Sequence, residues 1–269
     1  VFALRGQVAV ITGGSGMLGS ALARGLARAG VRVAILGRRV EAAQRVADEI
    51  HAAGGEALAV AADVRERATL DAAAEQIAAR LGPVDLLVNA AGGNDPRATV
   101  SDEQSFFDLD VPGISQVLAG NFTGTLAACQ VWGRTMAERG QGCIITIASM
   151  AALRPLTRVG VYGAAKAAVV NFTQWLAVHM AQEYSPAIRV NAIAPGFFLT
   201  EQNRFLLTDA ATGELTARGQ TIIAHTPQRR FGEPDDLVGP LLWLASPAAA
   251  FVTGIVVPVD GGFAAFGGV

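Results

Sequence analysis

Short, continuous apolar runs recur at residues 7–12 (QVAVIT), 31–36, 56–62, 85–89 (DLLVN), 143–148 (CIITIA), 188–193 (IRVNAI) and 255–259. They are strand-length and lack the alternation of a strand with one wet face. They therefore predict strands covered on both sides. Longer segments of helical spacing follow the first three, at 17–29, 41–53 and 68–81, and Leu18, Leu22 and Leu26 share one face of the first. Strand–helix–strand alternation at this spacing predicts right-handed crossovers. The expected fold is α/β: a doubly wound sheet of about seven parallel strands with helices on both faces. No linker, fixed-period repeat or low-complexity tract breaks the pattern, so residues 1–269 read as one domain.

Two connections are longer than the alternation requires: 92–112 (GGNDPRATVSDEQSFFDLDVP) and 198–232. Long connections in a compact domain tend to carry function, the alternative being variable surface loops. The second defines an expected substrate-lid insertion at about 197–232.

Composition narrows the function classes. Hydrophobic residues make up 51% and charged residues 16%, which excludes a disordered chain. The net charge of −2 argues against a nucleic-acid partner. Two cysteines exclude a disulfide scaffold, and three histidines without HExxH spacing argue against a metal site. No apolar run has membrane-spanning length, and the N-terminus lacks a signal-peptide pattern, so a cytoplasmic location is expected.

A glycine-rich stretch, Thr12 to Gly19 (TGGSGMLG), joins the first strand to the first helix. Glycines let backbone amides approach a pyrophosphate, and the helix N-terminus adds partial positive charge. Gly13, Ser15, Gly16, Met17, Leu18 and Gly19 are therefore candidate dinucleotide contacts. At the end of the second strand, where an acidic residue would hold an adenosine ribose, the chain has Gly37 followed by Arg38 and Arg39. Guanidinium groups suit a 2′-phosphate, so NADP(H) is expected in preference to NAD(H). Asp63 and Val64 could meet the adenine edge. Asn89, Ala90, Ala91 and Gly92 end the fourth strand, where small residues would let a cofactor lie flat.

Of the 21 basic residues, Lys166 is the sole lysine, and it follows Tyr162, one of two tyrosines, by four positions. In a helix this puts both on one face. An ammonium beside a phenol is expected to lower the phenol's pKa and make it a general acid or base. Ser149, closing the fifth strand, could hydrogen-bond an alkoxide, and Asn121 could hold a relay water. The constellation predicts hydride transfer between a nicotinamide and a secondary alcohol or ketone.

From end to end the chain resembles a short-chain dehydrogenase/reductase. The resemblance rests on TGGSGMLG, Asp63-Val64, NAAG, Asn121, Ser149, YGAAK, Pro195-Gly196 followed by Thr200, and VDGG at 259–262; Ser149 and Tyr162 stand thirteen apart. It implies a Rossmann-type fold and the tetrad Asn121, Ser149, Tyr162 and Lys166, with Tyr162 and Lys166 also touching the cofactor. Ile193, Pro195, Gly196, Phe198 and Thr200 would lie at the nicotinamide, and a homotetramer is implied. Two departures stand out: Met17 where the family's TGxxxGxG has glycine, and Ala90 where NNAG has its second asparagine.

The segments GGNDP, FFDLD, RPLT, NFTQWLAVH, RVNAIAPGFFLTEQNR, IIAHTP and FVTGIVVPVDGGF are similar to the family's D-mannonate oxidoreductase (fructuronate reductase) branch. A sugar acid needs a cation and several polar partners. Arg154 and Arg204 could grip its carboxylate, the alternative for each being a surface salt bridge. Asn94, Gln202, Asn203 and His225 could serve its hydroxyls. Gluconate- and polyol-type dehydrogenases of the same family stay open as alternatives, as does a non-enzymatic nucleotide-sensing scaffold.

Overall fold

The computed structural model describes residues 2–199, 204–209 and 212–268. Seven strands form one sheet: β1 (Val8–Thr12), β2 (Arg32–Gly37), β3 (Ala57–Ala61), β4 (Leu86–Asn89), β5 (Gly142–Ile147), β6 (Ile188–Pro195) and β7 (Val256–Val259). Their order is β3-β2-β1-β4-β5-β6-β7, and every pairing is parallel. The order reverses between β1 and β4, which opens a crevice at the carboxyl ends of those strands.

Alternation along each strand divides the core in two. Ala9, Ile11, Val33, Ile35, Leu86, Val88 and Ile145 face α1 (Met17–Arg28), α2 (Val40–Ala52) and α9 (Val238–Ala245). Val8, Val10, Ala34, Leu36, Leu87, Ile144 and Val190 face α3 (Arg67–Leu81), α5 (Gly124–Arg139) and α6 (Gly160–Glu183). All residues of β1 and β6 are buried, so neither face of the central strands touches water. Each large aliphatic side chain buried this way contributes roughly 1.5–3 kcal/mol.

The hydrophobic pattern did not predict the helical stretch between β4 and β5. Here α4 (Val111–Leu118) runs into one π-helical turn (Ala119–Thr123) and then α5. The long 198–232 connection also contains helices, α7 (Arg204–Leu207) and α8 (Ala217–Ala224). At the far end of the sheet Arg189 is buried. Its guanidinium donates to the carbonyls of Leu244, Ala245 and Ser246 at 2.7, 3.2 and 3.4 Å, satisfying the C-terminus of α9. Among the described residues no helix is long and apolar enough to cross a membrane.

Both cysteines are free and buried. Burial pushes the Cys129 thiol up to about 12 and the Cys143 thiol up to about 11.

Candidate active site

The glycine-rich turn leads into α1 with no side-chain cap at Gly16 and no acidic residue in the first helical turn. The helix N-terminus therefore presents unanswered backbone amides, which suits a pyrophosphate. Gly13 adopts φ +65°, and a Cβ there would lie 2.7 Å from the Ala91 Cα. A Cβ on Gly19 would run into the Gly13 carbonyl. Met17 and Leu18 are half-buried at the start of α1. Ala91 donates its amide to the Thr12 hydroxyl at 3.2 Å, pinning the end of β4 to the end of β1. The turn fits a dinucleotide despite the departures at Met17 and Ala90.

Ser15 fills the space beside Gly37: its Oγ is 2.7 Å from where a Gly37 Cβ would stand. Arg38 and Arg39 are exposed, and Arg39 immediately precedes α2. Asp63, expected at the adenine, is engaged by Arg65, whose guanidinium reaches its carboxylate at 2.6–3.2 Å. That hydrogen bonding holds the Asp63 carboxyl below its ordinary value, with Arg38 adding a smaller electrostatic effect. Val64 packs its side chain against Gly124.

Two residues expected at the cofactor turn their side chains into the core. Strand alternation sends Val88 toward α1 and therefore Asn89 toward α5. There Asn89 is buried and donates to the Cys129 Sγ at 3.3 Å. Phe198 is buried in the α1/α9 core, its ring where a Cβ on Gly232 would be. Pro195 and Gly196 do close β6 at the crevice, with the Gly196 amide donating to Val259 O at 2.9 Å.

The catalytic candidates converge. Ser149 follows β5, and its Oγ accepts the Ala151 amide at 3.1 Å and acts on the nearby Tyr162 hydroxyl. Tyr162 lies in the first turn of α6, half-buried, and Lys166 lies one turn on, fully inside. The Lys166 ammonium donates to the Ile147 carbonyl at 2.8 Å and stands 5.8 Å from the Tyr162 ring centroid. The electrostatics correct the expectation of a lowered phenol. Burial pushes the Tyr162 hydroxyl above its ordinary value, opposed only by Ser149. Burial also brings Lys166 down to about 8.

Asn121 sits buried in the π turn, an irregularity that recurs at functional sites. Its Nδ2 donates to Gly93 O at 2.7 Å and Val117 O at 2.8 Å, and its Oδ1 accepts the Gly93 amide at 3.1 Å. Both amide hydrogens go to backbone carbonyls, so the side chain clamps the start of the 92–112 connection. Gly92 passes so close that a Cβ would strike Asn121 Oδ1 and lie 3.4 Å from Lys166 Nζ. The sequence pattern gave no sign of this clamp.

The substrate candidates lie on separate segments. Arg154, exposed, donates through Nε to Ala264 O at 3.2 Å. Arg204 is exposed at the start of α7. His225 caps the C-terminus of α8, its Nδ1 2.8 Å from Thr221 O. Asn94 is exposed and donates to the Thr99 Oγ1 at 2.8 Å. Thr200, Gln202 and Asn203 lie outside the described residues.

A doubly wound sheet, a phosphate-ready turn at its crevice and a Ser–Tyr–Lys group beside that turn define a nicotinamide-dependent oxidoreductase. Comparison with known proteins agrees. The family model of short chain dehydrogenases matches residues 7–211, and the chain belongs to this family. It is 53% identical to the uncharacterised oxidoreductase UxuB of Bacillus subtilis strain 168, over 99% of this chain and 98% of that protein. A Haemophilus influenzae structure provisionally assigned as a D-mannonate oxidoreductase, with bound NAD, shares 43% identity at a TM-score of 0.93, covering 99% of this chain and 98% of that one. A gluconate 5-dehydrogenase from Burkholderia cenocepacia, in complex with NADP and tartrate, shares 34% at a TM-score of 0.88, covering 98% of each.

Proposed function

We propose that the protein reduces a keto sugar acid, or oxidises the corresponding hydroxy acid, of the D-fructuronate/D-mannonate type. The observation that carries the reaction class is the convergence of Ser149 at the end of β5 with Tyr162 and, one helical turn behind it, Lys166 bonded to the Ile147 carbonyl. When bound, the nicotinamide supplies or accepts a hydride at the carbon. At the oxygen, the work belongs to this chain. Tyr162 Oη donates a proton to the substrate oxygen in reduction and recovers it in oxidation. Ser149 Oγ hydrogen-bonds that oxygen, and the Lys166 cation steadies the phenolate left behind. A phenol pushed above its ordinary value stays protonated at neutral pH, the form that donates a proton in ketone reduction.

The sugar-acid reading is supported by the charged and polar side chains Arg154, Arg204 and His225 and by the relatives named for mannonate and gluconate. Polyol oxidation on the same site is the second reading. An intact Ser149, Tyr162 and Lys166 speaks against a nucleotide sensor without turnover. NADP(H) is proposed over NAD(H) from Gly37 and Arg38, although one similar structure binds NAD and another NADP. A homotetramer is proposed as well. The 24-residue α6 has no charged residue but buried Lys166 before its terminal Glu183, and it exposes Trp175 and Val178, a surface suited to burial against another copy. Two unpaired, buried thiols accord with a cytoplasmic location.

Steady-state rates with fructuronate, mannonate, 5-ketogluconate and neutral polyols, each with both dinucleotides, test the reading. Preferred turnover of a sugar acid with NADP(H) is expected. Brisk activity confined to neutral alcohols overturns the substrate assignment.

A further inference from the structure

The chain beyond β7 folds into a hook over the crevice rim. The Asp260 carboxylate accepts the Gly262 and Ala264 amides at 2.9 and 2.8 Å, curling the segment back on itself. Gly261 and Gly262 adopt φ +63° and +89°, and Cβ atoms there would lie 2.8 Å from Thr226 Cγ2 and 3.1 Å from Pro227. Only glycine allows this turn to seat so closely on the segment after α8. The Gln228 amide completes the seam, donating to Gly261 O at 3.1 Å.

From this base the hook reaches three loops of the crevice. Phe263 packs on Phe197, just past β6, with ring centroids 5.1 Å apart. Phe266 meets the His225 ring edge-on at 6.4 Å. Ala264 O takes the Nε–H of Arg154, five residues beyond Ser149. Among the described residues the terminal nitrogens of Arg154 take no protein partner. With Nε committed, the guanidinium plane is fixed, and it can receive a carboxylate only end-on, through its two terminal nitrogens.

We propose that residues 260–266 are a positioning element for the anionic end of the substrate: the Ala264 carbonyl orients the Arg154 fork, and Phe266 steadies His225 at the end of α8. This rests on the sugar-acid reading above. Among the described residues no hydrogen bond or ring contact joins the hook to Tyr162 or to the glycine-rich turn, so its contribution falls on binding of the acid and not on the proton step or the dinucleotide.

The test uses the full chain, a truncation after Phe263, Phe266→Ala, Phe266→Tyr and Arg154→Gln. KM and kcat are measured for a keto sugar acid and for a neutral ketone, with dinucleotide affinity by fluorescence as the control for an intact fold. Truncation is expected to raise KM for the acid about tenfold, the scale of one charge-assisted hydrogen bond, while KM for the neutral ketone stays within about twofold. Phe266→Ala raises KM for the acid by a smaller factor, and Phe266→Tyr restores it. In the Arg154→Gln background truncation adds little further, because the hook acts through that side chain. Equal rises for both substrates, or none for the acid, overturn the inference; where the truncation does not fold, Phe266→Ala decides on the same criterion. A wild-type protein that turns over neutral ketones but no acid overturns the substrate reading and this inference with it. A wild type that accepts the acid, with variants that leave its KM unchanged, overturns this inference alone.

Discussion

Ser15 and Gly37 share one space: the serine hydroxyl lies 2.7 Å from the position a Gly37 Cβ would take. The glycine-rich turn and the end of β2 are thereby fitted to each other. An acidic side chain cannot be added at the β2 end without displacing Ser15, which leaves Arg38 as the charged group nearest the expected ribose. Arg38→Asp should therefore shift the ratio of kcat/KM values from NADP toward NAD. The ratio with one substrate and both dinucleotides measures it, and an unchanged ratio means that another residue reads the ribose.

Tyr162→Phe removes the proton carrier while keeping the ring that packs beside Lys166. Dinucleotide affinity should hold, and kcat should fall on the order of 10²–10⁴-fold. Because burial raises the Tyr162 pKa, wild-type ketone reduction should persist through neutral pH and decline only on the alkaline side, while alcohol oxidation climbs with pH. A reduction rate that falls with rising pH already below neutrality contradicts a phenol in that role.

Lys166 titrates near 8 in the folded protein against an ordinary 10.5. Between those values the folded protein binds fewer protons than the unfolded chain, so stability rises with pH across that window. Replacing the ammonium by Lys166→Met should then stabilise the protein most below pH 8. The desolvation at stake is about 3 kcal/mol at most, offset by roughly 1–2 kcal/mol for the orphaned Ile147 carbonyl. Urea midpoints of both proteins at pH 7 and pH 10 report the difference; a gap that does not shrink at pH 10 shows that the ammonium is not the cause. Activity should be lost at both pH values.

Asn121→Ala deletes three hydrogen bonds and frees Gly93. A loss of about 2–3 kcal/mol in stability is expected. The Gly93 amide should also exchange with solvent much faster than in the wild type. Slow exchange in the variant would show that the 92–112 connection is held elsewhere.

The strands were legible because a parallel sheet covered on both faces demands unbroken apolar runs, and QVAVIT or CIITIA has no other economical use. Tyr162 and Lys166 were legible because a single lysine one helical turn from a tyrosine is a rare coincidence. The π turn at 119–123 was not: an extra residue in the turn shifts the apolar stripe between α4 and α5 and blurs the helical period. The direction of Asn89 was hidden as well. A strand-end motif shows that the residue reaches the crevice, while the two-residue alternation that turns its side chain to Cys129 depends on which face Val88 takes. Spacing also predicted that the ammonium would lower the phenol, whereas burial raises it, an effect no linear pattern displays.

Cys129 lies on the buried face of α5 and Cys143 is the second residue of β5, both sealed in the core with thiols that resist ionisation. A thiol reagent in neutral buffer meets neither until the sheet parts from its helices. The pair are built-in reporters of global opening, one on each face of the sheet, and their modification rates would reveal whether the two halves of the core separate together or in turn.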